Sequence, residues 1–152
     1  MAQPHHDEGV IVNGAFSIEP PLDDETFDLL DLVMRESFRA TLAGRGSSVL
    51  DRLVPGHPEG ANPWVGCEDG CCLMMEEVPL IQTDAVQPWL TYLVGTTLKG
   101  YQVSGSVLWW DIASDEHFAL QVSGRQIRKK SLLKARTKEA RSGTKRPALR
   151  SV

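Results

Sequence analysis

The chain predicts an α+β domain: an antiparallel sheet with two helices packed on one face, in the order β-α-ββ-α-βββ, followed by a basic C-terminal tail. Three observations predict it. Apolar residues recur at helical spacing from Val86 to Leu98. They alternate in period two from Tyr101 to Trp109 and again from Phe118 to Val122. Short clusters of Gly, Pro, Ser and Asp separate these runs, and brief elements joined by tight turns assemble into antiparallel sheets.

Met1 to Gly9 reads as a flexible, polar leader, in which His5 and His6 are solvated side chains. A first strand follows from Val10 to Ile18, with Val10, Val12, Gly14, Phe16 and Ile18 on one face, and Glu19-Pro20-Pro21 ends it because proline cannot donate to a ladder. Asp23 caps a helix from Asp24 to about Leu42, Asp24 and Glu25 load its first turn with negative charge, and Leu22 staples onto Phe27. Its expected buried stripe is Phe27, Leu30, Met34, Phe38 and Thr41 or Leu42. Asp24, Asp28 and Asp31 recur at helical spacing without a Glu-x-x-His partner, which marks a solvated face rather than a carboxylate metal site.

The Gly- and Pro-rich run from Gly44 to Pro63 is long for a loop inside one domain, so it reads as mobile or functional, with Val49, Leu50, Leu53 and Val54 able to pin a short helical turn. Gly44-Arg45-Gly46-Ser47-Ser48 lacks the spacing and lysine of a phosphate-binding loop. Trp64 to Glu77 reads as a hairpin turning at Glu68-Asp69-Gly70. A second helix then starts at Asp84, with Gln87 completing a capping box, or at Gln87 itself just ahead of Pro88. It runs to Lys99, stops at Gly100, and buries Val86, Trp89, Leu90, Leu93, Val94, Thr97 and Leu98. The alternation from Tyr101 places Val103, Gly105, Val107 and Trp109 on a core face, opposite Phe118, Leu120 and Val122 of the return strand. Ser123-Gly124 then turns into a third strand from Arg125 to Lys129. Leu108 and Trp110 fall on the otherwise polar face, where they either pack under another element or form an exposed contact patch.

The run Trp89-Leu90-x-Tyr92-Leu93, the helix exit at Leu98 to Gly100, and Gly105-x-Val107-x-Trp109 with Asp115 and Val122 resemble an uncharacterised family of small bacterial and phage proteins. Gly14-x-Phe16-x-Ile18-x-Pro20-Pro21-Leu22 and the Asp69-Gly70 turn are similar to its earlier landmarks, so the likeness covers roughly residues 9 to 128 in pieces. Members usually carry Gly-Glu after the hairpin tryptophan, where this chain has Trp110-Asp111. The resemblance implies a small α+β fold and no particular activity.

At 152 residues, with 41% hydrophobic and 24% charged residues, the chain suits a single domain, expected from residue 10 to 130, with a tail from 131 to 152. No apolar run approaches the roughly 20 residues that span a bilayer, and Met1 to Glu8 lacks the basic and apolar regions of a signal peptide, so a cytoplasmic protein is expected. Charge is segregated. From Arg125 onward eleven bases face one acid, Glu139, whereas the preceding residues hold five bases and nineteen acids, which makes the ends +10 and −14 within a net −4. The tail has no aromatic residue and too few apolar ones to bury a face, so it reads as disordered or as a short helix.

Three constellations carry candidate chemistry. Cys67, Cys71 and Cys72 offer thiolates to zinc, with His57 as a fourth ligand. Their spacing is not that of a zinc knuckle and an odd count does not suit a disulfide framework, so free thiols and no cofactor are expected. Asp111, Asp115, Glu116 and His117 gather acid–base groups around one turn, without a nucleophile elbow or any other catalytic signature. Trp110, Arg125, Arg128, Lys129, Lys130, Lys134 and Arg136 form the candidate binding set for nucleic acid or an acidic protein. Two functions follow: a non-enzymatic accessory protein with an acidic body and a basic, polyanion-binding end, or a small enzyme. In the second, the Asp111 to His117 hairpin and the Gly44 to Gly60 loop would share a pocket.

Overall fold

Gly14 and Ala15 interrupt what the alternation alone would make one continuous strand. The computed structural model describes residues 10–76, 83–112 and 114–132. In it the first strand is two, β1 (Val10–Asn13) and β2 (Phe16–Glu19), both antiparallel to β5 (Gln102–Asp111) in one unbroken register. Val12 faces Trp109, and Phe16 faces Gly105. Gly14 and Gly105 hold φ of 102° and 124°, backbone that only glycine adopts without strain, and the ladder breaks between them. A Cβ on Gly14 would lie 3.1 Å from the Ser106 carbonyl oxygen.

The remaining elements are α1 (Asp24–Ala43), α2 (Ser48–Leu53), β3 (Trp64–Gly66), β4 (Cys72–Met75), α3 (Thr83–Gly95), β6 (Glu116–Ser123) and β7 (Gln126–Ser131). The sheet runs β3-β4-β2-β5-β6-β7, with β1 extending beside β5, and every pairing is antiparallel. This is the expected α+β fold and element order, with the first strand divided and a short α2 added inside the Gly44 to Pro63 segment.

One face of the sheet is dry. Trp64, Leu73, Phe16, Ile18, Val103, Val107, Trp109, Phe118, Leu120 and Val122 are buried beneath the helices, in a single cluster with Leu30 and Val33 of α1 and Trp89, Leu90, Leu93 and Val94 of α3. Trp109 stacks on its cross-strand neighbour Phe118 at 5.5 Å. Its indole N–H finds no hydrogen-bond partner among the described residues. The other face is mainly open to solvent, with Ala119 and Val65 buried on it.

Asp23 caps α1 as expected, accepting from the Thr26 N–H at 2.7 Å, and Gly44 closes it in the left-handed conformation. Leu22 and Phe27 both close over Gly66, whose missing Cβ would sit 2.6 Å from the Leu22 side chain. The buried stripe of α1 is rotated from the expected one. Leu30, Val33 and Ser37 are fully buried, Phe27, Met34, Phe38 and Thr41 are half-buried, and Leu42 is 70% exposed. A serine occupies the stripe because its hydroxyl is used: Ser37 Oγ donates to the Met34 carbonyl and accepts the Asn62 N–H at 2.8 Å.

That contact belongs to a set that pins the Gly44 to Pro63 segment to the helices. Trp89 Nε1–H donates to the Gly60 carbonyl at 3.1 Å, Tyr92 O–H to the Pro55 carbonyl at 2.7 Å, and Trp64 Nε1–H to the Val86 carbonyl at 3.0 Å. Asn62, fully buried, brackets Trp64 with its amide, accepting from the Trp64 N–H and donating to its carbonyl. The segment is thus anchored to the helices at Pro55, Gly60 and Asn62 instead of hanging as a loose loop.

α3 buries the stripe its spacing predicts, except that Thr97 is only half-buried. It stops at Gly95 rather than at Lys99, and a turn carries the chain on, with the Leu98 N–H bonded to the Leu93 carbonyl. The C-terminal carbonyls of this region are taken by a distant side chain. The Arg125 guanidinium donates to Val94 O at 2.7 Å and to Lys99 O at 2.5 Å. No helix among the described residues is long and apolar enough to cross a membrane.

Candidate functional site

The solvent-facing side of the sheet is where the chain's unusual surface chemistry collects. Strand pairing sets it in rows. Asn13, Leu108, Ala119 and Lys130 lie side by side across β1, β5, β6 and β7; Ser106, Gln121 and Arg128 form the next row; Trp110 and His117 are direct neighbours on β5 and β6. Leu108 is 47% exposed. Exposed faces of antiparallel sheets are usually polar, and here an exposed leucine lies near an indole and two cations.

The Trp110–His117 pair is built, not incidental. Their rings stack at 5.1 Å with planes 17° apart. One carboxylate oxygen of Asp115, at the turn, accepts from Trp110 Nε1–H at 3.1 Å and from His117 Nε2 at 3.3 Å. Asp115 holds a positive φ of 55°, a conformation that Asp tolerates better than most residues and that bends its side chain back over the hairpin. A carboxylate only accepts, so the contact requires the proton on His117 Nε2. Asp115 therefore acts as an orienting group for two rings on the open face.

Charge on this face runs against the rest of the body. Among its strand residues Glu19 is the one acid, with Asp115 at the adjoining turn taken up by Trp110 and His117, while Arg128 and Lys130 are cations. The other candidate cations go elsewhere. Arg125 is committed to the end of α3. Lys129 points to the helix-bearing side, its ammonium 4.3 Å above the Phe118 ring. Lys134 and Arg136 lie outside the described residues.

The acid–base constellation is only partly assembled. Asp115 reaches His117, but Asp111 is paired across the strands with Glu116, at the end of the ladder. The expected pocket joined this hairpin to the Gly44 to Gly60 loop, but the cleft described beside that loop is bordered by other elements. The loop instead borders a cleft of about 440 Å³ with the end of α1 and with α2, lined by Thr41, Arg45, Ser47, Asp51, His57 and Glu59 among others and by no residue of the hairpin.

His57 in that cleft carries a contact that periodicity did not disclose. Its Nε2 lies 2.9 Å from Asp51 Oδ1, its Nδ1 lies 2.6 Å from the Pro58 carbonyl, and its ring stacks on Trp89 at 5.4 Å. Both nitrogens are thereby engaged, so His57 fastens the loop and does not join the cysteines.

Those cysteines converge. The β3–β4 turn closes through Cys67 N–H to Cys72 O and Gly70 N–H to Cys67 O, both at 2.9 Å, and the three thiol sulfurs all lie within 4.8 Å of one another. Adjacent residues point apart in a strand, but Cys71 precedes β4, in the bend after Gly70, where φ is 75° and alternation does not apply. All three are free thiols. Partial burial works to raise the Cys67 thiol, yet hydrogen bonds from the Cys72 and Cys71 thiols and from the backbone N–H groups of Asp69 and Cys72 hold it below its ordinary value. Cys71 is raised by the hydrogen bond and the charge of Cys67. Burial, followed by the same neighbour, pushes Cys72 up to about 12.

Comparison with protein-family models, curated proteins and solved structures found no match for this chain.

Proposed function

We propose that this protein is a non-enzymatic binding module whose open sheet face and basic C-terminal segment engage single-stranded nucleic acid. The observation that carries this reading is the acid-poor face itself. On a body holding fourteen more acids than bases before Arg125, the uncovered face presents a stacked Trp110–His117 pair, Leu108, and Arg128 with Lys130 on β7, one strand from His117 and two from Trp110. Aromatic side chains on an exposed sheet, flanked by cations, are the arrangement with which sheets stack bases and neutralise phosphates. The basic run continues in the sequence beyond Lys130 through Lys134 and Arg136. The acidic surface elsewhere repels the same ligand and confines it to the face.

Fluorescence anisotropy of a labelled oligonucleotide, titrated with the full chain across a salt series, tests the reading. Trp110→Ala should weaken binding by the roughly 1–3 kcal/mol that one stacked base contributes. Arg128→Gln with Lys130→Gln should flatten the log–log salt slope by about 1.4, two phosphates' worth on a single strand. Absence of any anisotropy change at about 50 mM salt, or binding of an acidic polypeptide in place of the oligonucleotide, would overturn it.

A further inference from the structure

The β3–β4 turn brings three sulfurs to one point from positions 67, 71 and 72, and nothing in the nucleic-acid reading uses them. The Cys67 and Cys71 sulfurs are 3.9 Å apart, and every pair in the trio is within 4.8 Å. Around a metal with sulfur bonds of about 2.3 Å, trigonal geometry sets sulfurs about 4.0 Å apart and tetrahedral geometry about 3.8 Å. The thiols therefore already stand near ligand spacing.

From this geometry we infer that the turn is a three-thiolate site for a soft metal ion of low coordination number, monovalent copper being the ion it matches. The donor set decides between metals. Structural zinc almost always takes four protein ligands. Among the described residues no imidazole or carboxylate joins the three thiols, and His57 is engaged by Asp51 and Pro58. An all-sulfur set with three donors suits copper(I), which thiolates select. Cys71 is exposed, so the ion has an entry path. Each thiol releases its proton to solvent on coordination, up to three per ion, and the metal keeps its oxidation state.

The test uses the full chain, reduced with a phosphine and titrated anaerobically with copper(I) acetonitrile complex against a coloured copper(I) chelator. One ion per chain should be withdrawn from the chelator, with X-ray absorption showing three sulfur neighbours at about 2.3 Å. Cys71→Ser, at the exposed position, should keep the far-ultraviolet circular dichroism of the parent. It should lose at least the roughly tenfold in affinity that removal of even an outer partner costs a metal site. No withdrawal of copper, undiminished affinity in Cys71→Ser, two sulfur neighbours in place of three, or tighter binding of zinc through a fourth protein ligand would each refute the site.

Discussion

Arg125 separates fold from function, because its sequence position places it in the basic segment and its contacts place it in the scaffold. Arg125→Ala removes two charge-assisted hydrogen bonds, to Val94 O and Lys99 O, at the end of α3. Buried bonds to charged groups contribute about 1.5–3 kcal/mol each, but one of these two lies at the surface, where solvent takes over much of its role. The cation also faces carbonyls at a helix C-terminus, a further ~0.3–1 kcal/mol. A loss of about 2 kcal/mol follows, which for a chain of this size lowers Tm by roughly 4–8 °C. Urea unfolding followed by circular dichroism measures it, with the m-value unchanged. Arg125→Lys should recover only part, since an ammonium lacks the planar fork that spans two carbonyls. Oligonucleotide affinity of the folded variant should stay at the parental value. If Arg125→Ala left stability intact and cost as much binding as Arg128→Gln, the division between clamp and contact surface would be wrong.

Two further outcomes follow from contacts away from that face. Ser37→Ala strands the Asn62 N–H in a fully buried position and should cost about 1–3 kcal/mol by urea denaturation, with amide exchange accelerating first in residues 55–62. Hydrogen bonds from Thr26 hold the Asp23 carboxyl below its ordinary value, so its contribution is present above the unfolded-chain value and is lost as pH falls through the lowered folded one. Asp23→Asn, which keeps an acceptor oxygen at the cap, should therefore show a flatter decline in Tm through the acid range than the parent, and an identical slope would discount the cap.

Period-two alternation was enough to sort β5 and β6 into a dry and a wet side, because each strand is buried on one face only and a shift of one residue would expose Val107 and Trp109. It also singled out Leu108 and Trp110. What alternation cannot carry is partnership between distant residues. Trp89 and Gly60 are 29 positions apart, as are Tyr92 and Pro55 by 37, so a segment rich in glycine and proline read as loose until the helix that holds it was in place. The rotated stripe of α1 has the same origin: Ser37 looks like a surface residue until Asn62 arrives over it. Arg125 was read by its charge, and only the course of the chain after β6 reveals the carbonyls it meets. For the cysteines, spacing rules written for regular zinc loops miss a turn in which a left-handed glycine swings Cys71 toward its neighbours.

β7 ends the strand order of the described sheet on one side, where no further described strand pairs with it. Such a rim is a template on which another chain can grow the sheet. Here the strand reads Gln-Ile-Arg-Lys-Lys-Ser, and two copies meeting rim to rim would set like charges opposite one another over its central residues. Under the proposed reading, the cations that would meet a polyanion also oppose rim-to-rim pairing, so a variant that neutralises Arg128, Lys129 and Lys130 should lose solubility along with affinity.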